Sequence, residues 1–179
     1  MREIEIKARL KDRDAVMANL AKLGCEFEAP IIQEDVVYAK HVGSLEAFNS
    51  NDVFLRIRVR SDRKIIFTLK QRKSANRLSA TEHEVEIRSK EEMEKILSLM
   101  GFKEAVRINK KRVITHHDGC EICLDEVEGL GSFIEMEKLT EDGDAEAIQE
   151  DLFTFFQSLG IKKEDRVMVG YDILMLQKP

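Results

Sequence analysis

The chain has 179 residues, of which 35% are charged and 43% hydrophobic, and its formal net charge is -5. This composition is typical of a soluble globular protein and excludes collagen-like and low-complexity classes. The acidic balance lacks the basic footprint of a nucleic-acid-binding protein, and no apolar run reaches the roughly 20 residues of a membrane-spanning helix. We therefore expect one domain over residues 1–179, without a nucleic-acid or membrane partner. Three cysteines without disulfide spacing indicate a reducing, cytoplasmic environment.

The first predicted strand, residues 2–9, separates aliphatic from charged side chains. Side chains alternate between the two faces of a strand, so Ile4, Ile6 and Ala8 share one face. The opposite face carries only ionisable side chains, namely Glu3, Glu5, Lys7 and Arg9. Such a strand is commonly half buried, with its charged face in water. Its pattern gains meaning because later strands repeat it.

Seven further strands are predicted in the rest of the chain, at 31–38, 53–60, 64–72, 82–88, 107–115, 120–127 and 132–139. The tail, residues 166–176, alternates weakly and is expected to close the sheet as a strand. Helices are predicted over 12–23, 90–100 and 144–159, each with a polar N-cap residue, an apolar stripe and a following glycine. Residues 40–51 and 73–80 have the composition of loops.

A three-part unit recurs in this order of elements. Three predicted strands contain the pattern Glu-x-Glu, which begins at Glu3, Glu84 and Glu135, and each strand is followed by a short helix that ends at a glycine. The repetition indicates duplication of a strand–helix unit. Together with the hairpin turns, it predicts an antiparallel sheet with helices packed outside, which is an α+β fold.

Both faces of these strands have a place in an eight-stranded antiparallel barrel. The aliphatic faces would pack against the outer helices, and the charged faces would line a wet lumen. Thirteen ionisable residues are candidates for that lumen: Glu3, Glu5, Lys7, Arg56, Arg58, Lys70, Glu84, Glu86, Lys110, Arg112, Asp125, Glu135 and Glu137. Dry burial of unpaired ions costs several kcal/mol each, so the lumen must hold water, counterions or a charged ligand. A barrel for an apolar ligand would need the opposite orientation of every strand.

The two signs of charge indicate the chemical class of the ligand. Arg and Lys side chains bind phosphate oxygens through charge-assisted hydrogen bonds. Carboxylates are hard oxygen ligands for Mg²⁺ or Mn²⁺. Both together suit a metal polyphosphate. The chain has neither a Walker-type glycine-rich loop nor a dinucleotide-binding fingerprint, so side chains would bind the phosphates.

In sequence order these stretches resemble the CYTH superfamily of triphosphate tunnel metalloenzymes. The hallmark Glu-x-Glu-x-Lys of that superfamily is similar to residues 3–7, and the resemblance continues at 55–58, 68–70, 84–86, 110–112 and 124–137. It covers roughly residues 1–140, with a looser echo at Arg166 and Tyr171. One Glu-x-Glu-x-Lys motif is weak evidence, whereas six stretches in the same order are specific.

The resemblance implies an eight-stranded tunnel and a role for each matching residue. The carboxylates implied on the metal side are Glu3, Glu5, Glu135 and Glu137, with Asp125 close by. The implied triphosphate contacts are Lys7, Arg56, Arg58, Lys70, Lys110 and Arg112, with Glu84 and Glu86 orienting the cations. Of these, Lys7, Lys110, Arg112 and Asp125 are the predicted catalytic residues.

The region around Lys110 and Arg112 and the Gly-Leu-Gly-x-Phe stretch are most similar to the class IV adenylyl cyclases of this superfamily. We therefore favour a Mg²⁺- or Mn²⁺-dependent enzyme that converts ATP to 3′,5′-cyclic AMP and pyrophosphate. One departure counts against it, since only Met1 and Arg2 precede Glu3 and the His-Phe pair of characterised cyclases is missing. The alternatives are hydrolysis of inorganic tripolyphosphate, thiamine triphosphate or a nucleoside triphosphate, and a non-catalytic polyphosphate-binding module. A homodimer is compatible with each.

Overall fold

The computed structural model describes the backbone of residues 2–72, 80–141 and 143–178. Its strands are β1 (Arg2–Arg9), β2 (Ile31–Ala39), β3 (Val53–Arg60), β4 (Ile65–Arg72), β5 (Ala80–Glu86), β6 (Lys103–His117), β7 (Cys120–Val127), β8 (Gly131–Thr140) and β9 (Arg166–Val167). Its helices are α1 (Arg13–Lys22), α2 (Leu45–Asn49), α3 (Lys90–Leu99), α4 (Ala145–Ser158) and α5 (Tyr171–Leu176), with one 3₁₀ turn at Lys163–Asp165. The predicted α+β class is confirmed.

The chain forms two compact units. The first unit comprises residues 1–30 and 111–168, and the second comprises residues 31–110 and 169–179. In the first unit the strand order is β6-β7-β8-β1-β9, and in the second it is β5-β4-β3-β2-β6, because the long strand β6 runs through both. The single-domain organisation stays a prediction.

The strand count differs from the eight that the sequence predicts. The described residues contain a ninth strand, β9, which pairs with β1 opposite Lys7 and Ala8. The hydrogen-bonded order ends at β5 in the second unit and at β9 in the first. The described strands therefore have an open order and not that of a closed eight-stranded barrel.

Helices α1 and α4 cover the aliphatic strand face of the first unit. Asp12 caps α1 by accepting a hydrogen bond from the amide of Ala15 at 2.9 Å, and Asp144 caps α4. The core of this unit joins the strand residues Ile6, Ala8, Val113, Ile122, Leu124, Ile134 and Met136 to the helix residues Val16, Leu20, Leu152, Phe153 and Phe156. Burial of this apolar surface fixes which face of each strand points away from the helices.

Helix α3 covers the aliphatic strand face of the second unit. Ser89 accepts the amide hydrogen bond of Glu92 at 3.1 Å and so caps the helix as the sequence predicts. The helix residue Leu97 is buried against the strand residues Val36, Leu55 and Ile57. In each unit the aliphatic faces therefore point at helices, as expected for a charged ligand face and opposite to an apolar-ligand barrel.

All three strand–helix–glycine repeats are present. Strands β1, β5 and β8 are each followed by a helix, and Gly24, Gly101 and Gly160 end those helices. At Gly101 the backbone φ of 83° lies in the left-handed region that favours glycine. An added Cβ there would meet nothing within 4 Å, so backbone conformation and not crowding favours the glycine.

Four segments differ from the sequence prediction by two residues or more, and one of them is strand β5, which starts and ends two residues earlier than predicted. The expected loop 40–51 contains helix α2, whose N-cap Ser44 accepts from the amide of Ala47 at 3.0 Å. Strand β6 starts four residues earlier than predicted and ends two residues later. The tail forms only the two-residue strand β9 and then helix α5, so it is not one closing strand. Most of the predicted loop 73–80 lies outside the described residues.

Within the described residues, no helix is long and apolar enough to cross a membrane.

Candidate functional site

The charged face of the first unit lies on the side of the sheet away from α1 and α4. Strand register sets its side chains in rows, because residues directly opposite in antiparallel strands share a face. Glu5 on β1 lies opposite Glu137 on β8, which lies opposite Glu121 on β7. Lys7 lies opposite Glu135 in the neighbouring row. Three carboxylates thus follow one another across the strands, next to a cation.

Ion pairs join the row of Lys7 and Glu135 to side chains on β6 and β7. The ammonium of Lys7 lies 3.0 Å from Glu5 Oε1 and 2.8 Å from Glu135 Oε1. Arg112 donates two hydrogen bonds to Asp125, from Nε at 2.7 Å and from Nη2 at 2.6 Å, and it also pairs with Glu135. Glu135 therefore accepts from both cations, and five of the predicted site residues form one connected group.

The electrostatics of this group keep its cations charged. Burial alone lowers the pKa of the Lys7 ammonium, but the opposing charges of Glu135 and Glu5 raise it above its usual value. Burial opposes the charge of Arg112 as well, and Asp125 and Glu135 outweigh it and raise the pKa of the guanidinium. Both side chains are consequently cationic at neutral pH, as phosphate binding requires.

The donor chemistry of this face fits a hard divalent cation. Glu5, Glu137 and Glu121 offer carboxylate oxygens in one row, and like charges directly opposite destabilise a sheet unless a cation lies between them. In the part of the chain that the structure describes, no three Asp, Glu, His or Cys side chains already form a group that could hold a metal ion. Mg²⁺ is usually held by one or two carboxylates together with substrate phosphates. The row fits that mode of binding, which needs no complete protein cage.

The charged face of the second unit contains a buried bidentate pair. Arg58 on β3 donates to Asp35 on β2 from Nε at 2.7 Å and from Nη2 at 2.8 Å. Burial alone raises the pKa of Asp35, but Arg58 in particular, with Lys110 and Arg56, holds it well below its usual range. Asp35 was not among the predicted site residues, although it orients one of them.

Two more cations of this face are held by strand β5. Arg56 donates from Nη2 to Glu84 Oε1 at 3.0 Å and to Thr68 Oγ1 at 3.2 Å, and the Thr68 hydroxyl donates to the same carboxylate oxygen at 2.8 Å. Lys70 pairs with Glu82, which also lies 3.7 Å from Arg56. Glu84 therefore contacts a predicted phosphate residue, as the orienting role requires, and Glu82 shares that arrangement.

The remaining predicted residues are placed as follows. Lys110 on β6 is buried, and its ammonium lies over the ring of Tyr171. Glu86 is exposed and lies opposite Ile66, so the register does not put a cation across from it. Glu3 lies opposite Leu139, at the end of the carboxylate face.

Sequence reasoning missed the anionic partners of the cations, Asp35 and Glu82. Strand β2 contains three polar residues in a row, Gln33, Glu34 and Asp35, so alternation alone does not say which of them face inward. The register of β2 against β3 reveals the pair, because it places Asp35 directly opposite Arg58. Glu82 lies near the start of β5, where a strand residue is commonly solvated, yet its side chain is largely buried.

Arg166 faces away from the predicted site. It lies opposite Ala8, whose side chain belongs to the helix-covered core of the first unit. Its guanidinium pairs with Glu150 and lies 4.9 Å from the ring centroid of Phe153, both on α4. Arg166 thus attaches β9 to a helix.

The depressed pKa of Asp35 predicts a dependence of stability on pH. A lowered folded-state pKa stabilises the fold at pH values above the unfolded pKa, and this contribution is lost as the pH falls through the folded pKa. Asp35→Asn should lower the free energy of unfolding by about 2 kcal/mol at neutral pH. The deficit should shrink below about pH 4, where the unfolded carboxyl is protonated. Urea denaturation of both proteins across this range measures it, and a pH-independent deficit would contradict the assignment.

Comparisons with known proteins identify the family of this chain. A family model described as the CYTH domain matches residues 1–171. A Methanocaldococcus jannaschii protein named "Putative adenylate cyclase" is 34% identical over 174 residues, which is 96% of this chain and 97% of that protein.

Solved structures extend the likeness to the whole fold. A Pyrococcus horikoshii OT3 protein is 30% identical and superposes with a TM-score of 0.82 over 99% of both chains. A Hippeastrum protein described as having a dominant triphosphatase activity is 21% identical, with a TM-score of 0.59 over 95% of this chain and 91% of its own, and shares the fold. The resemblance stated from the sequence is confirmed by the family match, and this chain belongs to the CYTH domain family.

Proposed function

We propose that this protein is a metal-dependent enzyme that converts ATP to 3′,5′-cyclic AMP and pyrophosphate. Membership of the CYTH family supports action on a triphosphate with a divalent metal. The name of the Methanocaldococcus jannaschii relative supports cyclisation. The observation that carries the proposal is the connected group of Lys7, Arg112 and their carboxylates, on the strand face opposite α1 and α4.

The cations are assigned to the phosphate oxygens. Lys7 and Arg112 in the first unit, and Arg56, Arg58, Lys70 and Lys110 in the second, are the residues that would bind them. The Arg side chains are held by Asp125, Asp35 and Glu84 in fixed orientations, so binding does not have to order them again. Asp125 directs both oxygens at Arg112. This favours a role in positioning Arg112 over direct contact with a metal.

The carboxylates Glu3, Glu5, Glu135 and Glu137 are assigned to the metal side. When bound there, Mg²⁺ or Mn²⁺ would neutralise phosphate charge and lower the pKa of the attacking hydroxyl. In the reaction, the ribose 3′-oxygen forms a bond to the α-phosphorus as its proton leaves. The bond from that phosphorus to the bridging oxygen breaks, and pyrophosphate departs with the electron pair. Electrostatic stabilisation by Lys7 and Arg112 suits the charge that develops on the leaving group.

Product analysis tests the reaction. The protein is incubated with ATP, thiamine triphosphate or tripolyphosphate, with Mg²⁺ or Mn²⁺, and products are identified by mass spectrometry. We expect cyclic AMP and pyrophosphate from ATP. ADP and orthophosphate without cyclic AMP would replace the proposal by a triphosphatase, since the phosphate contacts suit either reaction. Binding without turnover of any of the three would indicate a non-catalytic polyphosphate-binding module.

Phosphate binding by the second unit can be measured separately. Arg56→Ala should weaken tripolyphosphate binding about ten- to hundredfold, because hydrogen bonds to charged groups contribute about 1.5–3 kcal/mol each. Arg60→Ala is the matched control, since Arg60 lies on the same strand and pairs with Asp62 in the following turn. We expect it to change the affinity much less. Equal effects of the two variants, measured by calorimetry, would show only a general loss of positive charge.

A further inference from the structure

Helix α5 adds an aromatic side chain to the surroundings of a predicted phosphate-binding lysine. Tyr171 is the first residue of α5, and the Nζ atom of Lys110 lies 5.1 Å from the centroid of its ring. Both side chains are buried, with 6% of Tyr171 and 5% of Lys110 exposed. The distance is within the about 6 Å over which an ammonium is attracted to the face of an aromatic ring.

The helix that carries the Tyr171 ring is itself partly buried. Ile173, two residues further along α5, is buried at 2% exposure and anchors the helix in the second unit. The side chain of Asp172 lies close to the backbone of Gly170, the residue before Tyr171. A Cβ added to Gly170 would lie 2.3 Å from the Oδ1 atom of Asp172. Burial of Tyr171 and Ile173 holds the first turn of this short helix in place.

Lys110 also interacts electrostatically with a carboxylate on another strand. Asp35 on β2 is close enough that the Lys110 charge helps to lower its pKa, after the larger effect of Arg58. A lysine ammonium sits on a flexible four-carbon stem and loses rotamer entropy when it is held in one place. The aromatic face attracts it without offering an anionic oxygen that would compete with a phosphate.

We propose that Tyr171 is a positioning residue for Lys110, and that its ring holds the ammonium where it binds a phosphate oxygen of the substrate. The proposal rests on the proposed function, in which Lys110 binds the triphosphate. It makes α5 part of the binding machinery, in place of the tunnel-closing strand that the sequence predicts for this tail. Truncating the tail would be a poor test, because β9 and the buried residues of α5 would be lost together.

The test varies the electronics of the ring and leaves its shape almost unchanged. Tyr171 is replaced by phenylalanine, 4-fluorophenylalanine and 3,4,5-trifluorophenylalanine, and the affinity for tripolyphosphate with Mg²⁺ is measured by calorimetry. Fluorine withdraws electron density from the ring face, so affinity should fall stepwise, by about 3- to 30-fold across the series. The melting temperature should fall much less than after Tyr171→Ala, because volume and burial hardly change.

Two controls separate positioning from packing. Tyr38, the other tyrosine, is equally buried and donates its hydroxyl to Glu94 on α3 at 2.8 Å, so the same series there should leave the affinity unchanged. In a Lys110→Met background, the series at Tyr171 should lose its effect, because the cation is gone. A gradient that persists in that background would assign the effect to something other than Lys110 and overturn the proposal.

The outcomes also distinguish this proposal from the one on which it rests. If the unsubstituted protein binds no tripolyphosphate, both are overturned. If it binds and the fluorinated series at Tyr171 gives equal affinities, only the positioning role is overturned. A stepwise fall at Tyr171 with a flat response at Tyr38 supports the positioning role.

Discussion

Replacing Arg112 with methionine is expected to lower the free energy of unfolding by about 3–5 kcal/mol, the usual result of removing one partner of a buried ion pair. Asp125 has no exposed surface, and both of its oxygens accept from Arg112. Without the guanidinium, this buried charge would lose the donor that both of its oxygens share. Chemical denaturation at neutral pH measures the loss, and a change below about 1 kcal/mol would contradict the described pair.

The matched control for this variant removes both charges. Arg112→Met combined with Asp125→Leu removes the buried carboxylate together with its donor, so it should be more stable than Arg112→Met alone. Arg112→Lys keeps the charge but cannot reproduce the bidentate geometry. Its loss in free energy of unfolding should lie between those of Arg112→Met and of the double variant. If the double variant is less stable than Arg112→Met, packing and not charge would explain the loss.

Replacing Glu137 with glutamine should reduce turnover about 100-fold or more and leave the fold intact. A catalytic metal contributes several kcal/mol to transition-state stabilisation, and each 1.36 kcal/mol is a factor of ten in rate. Glutamine has nearly the same shape, and it removes one of three like charges in the row with Glu5 and Glu121. The melting temperature should therefore be retained or raised. Initial rates over a Mg²⁺ and Mn²⁺ titration measure the effect.

Two controls test the metal assignment of Glu137. Glu141→Gln removes an exposed carboxylate just beyond the end of β8 and should keep wild-type turnover. A chelator should abolish the activity of the unsubstituted protein. Full turnover of Glu137→Gln, or of the wild type in chelator, would contradict a carboxylate-held metal. Glu135→Gln is less informative, because that carboxylate also accepts from Lys7 and Arg112.

The strands and their faces could be predicted because they follow local rules. From Glu3 to Arg9 in β1 and from Leu55 to Arg60 in β3, aliphatic and charged residues alternate, so a period of two decides both the element and its buried face. The helices that cover those faces begin at capping side chains and end at glycines, which are also local signals. The charged faces of both units were predictable for this reason.

The pairing register between strands could not be predicted in the same way. The contact of Asp35 with Arg58 depends on the register of β2 against β3, and alternation in β2 is interrupted by Glu34. The prediction of one strand for the tail was wrong for a different reason. Residues 171–176 suit either a strand or a helix by composition, and α5 lacks a side-chain N-cap that would mark its start. Short elements of this kind are decided by packing.

The carboxylate of Glu135, shared between Lys7 and Arg112, has a consequence for how mutational data on this protein should be interpreted. Residues that share a partner do not contribute independently, so effects at these three positions will show epistasis. Loss of either cation leaves the other with a larger share of the anion, and a single substitution will misstate the contribution of each. Thermodynamic cycles over all three positions are the suitable measurement, and in evolving sequences the three should change as a set.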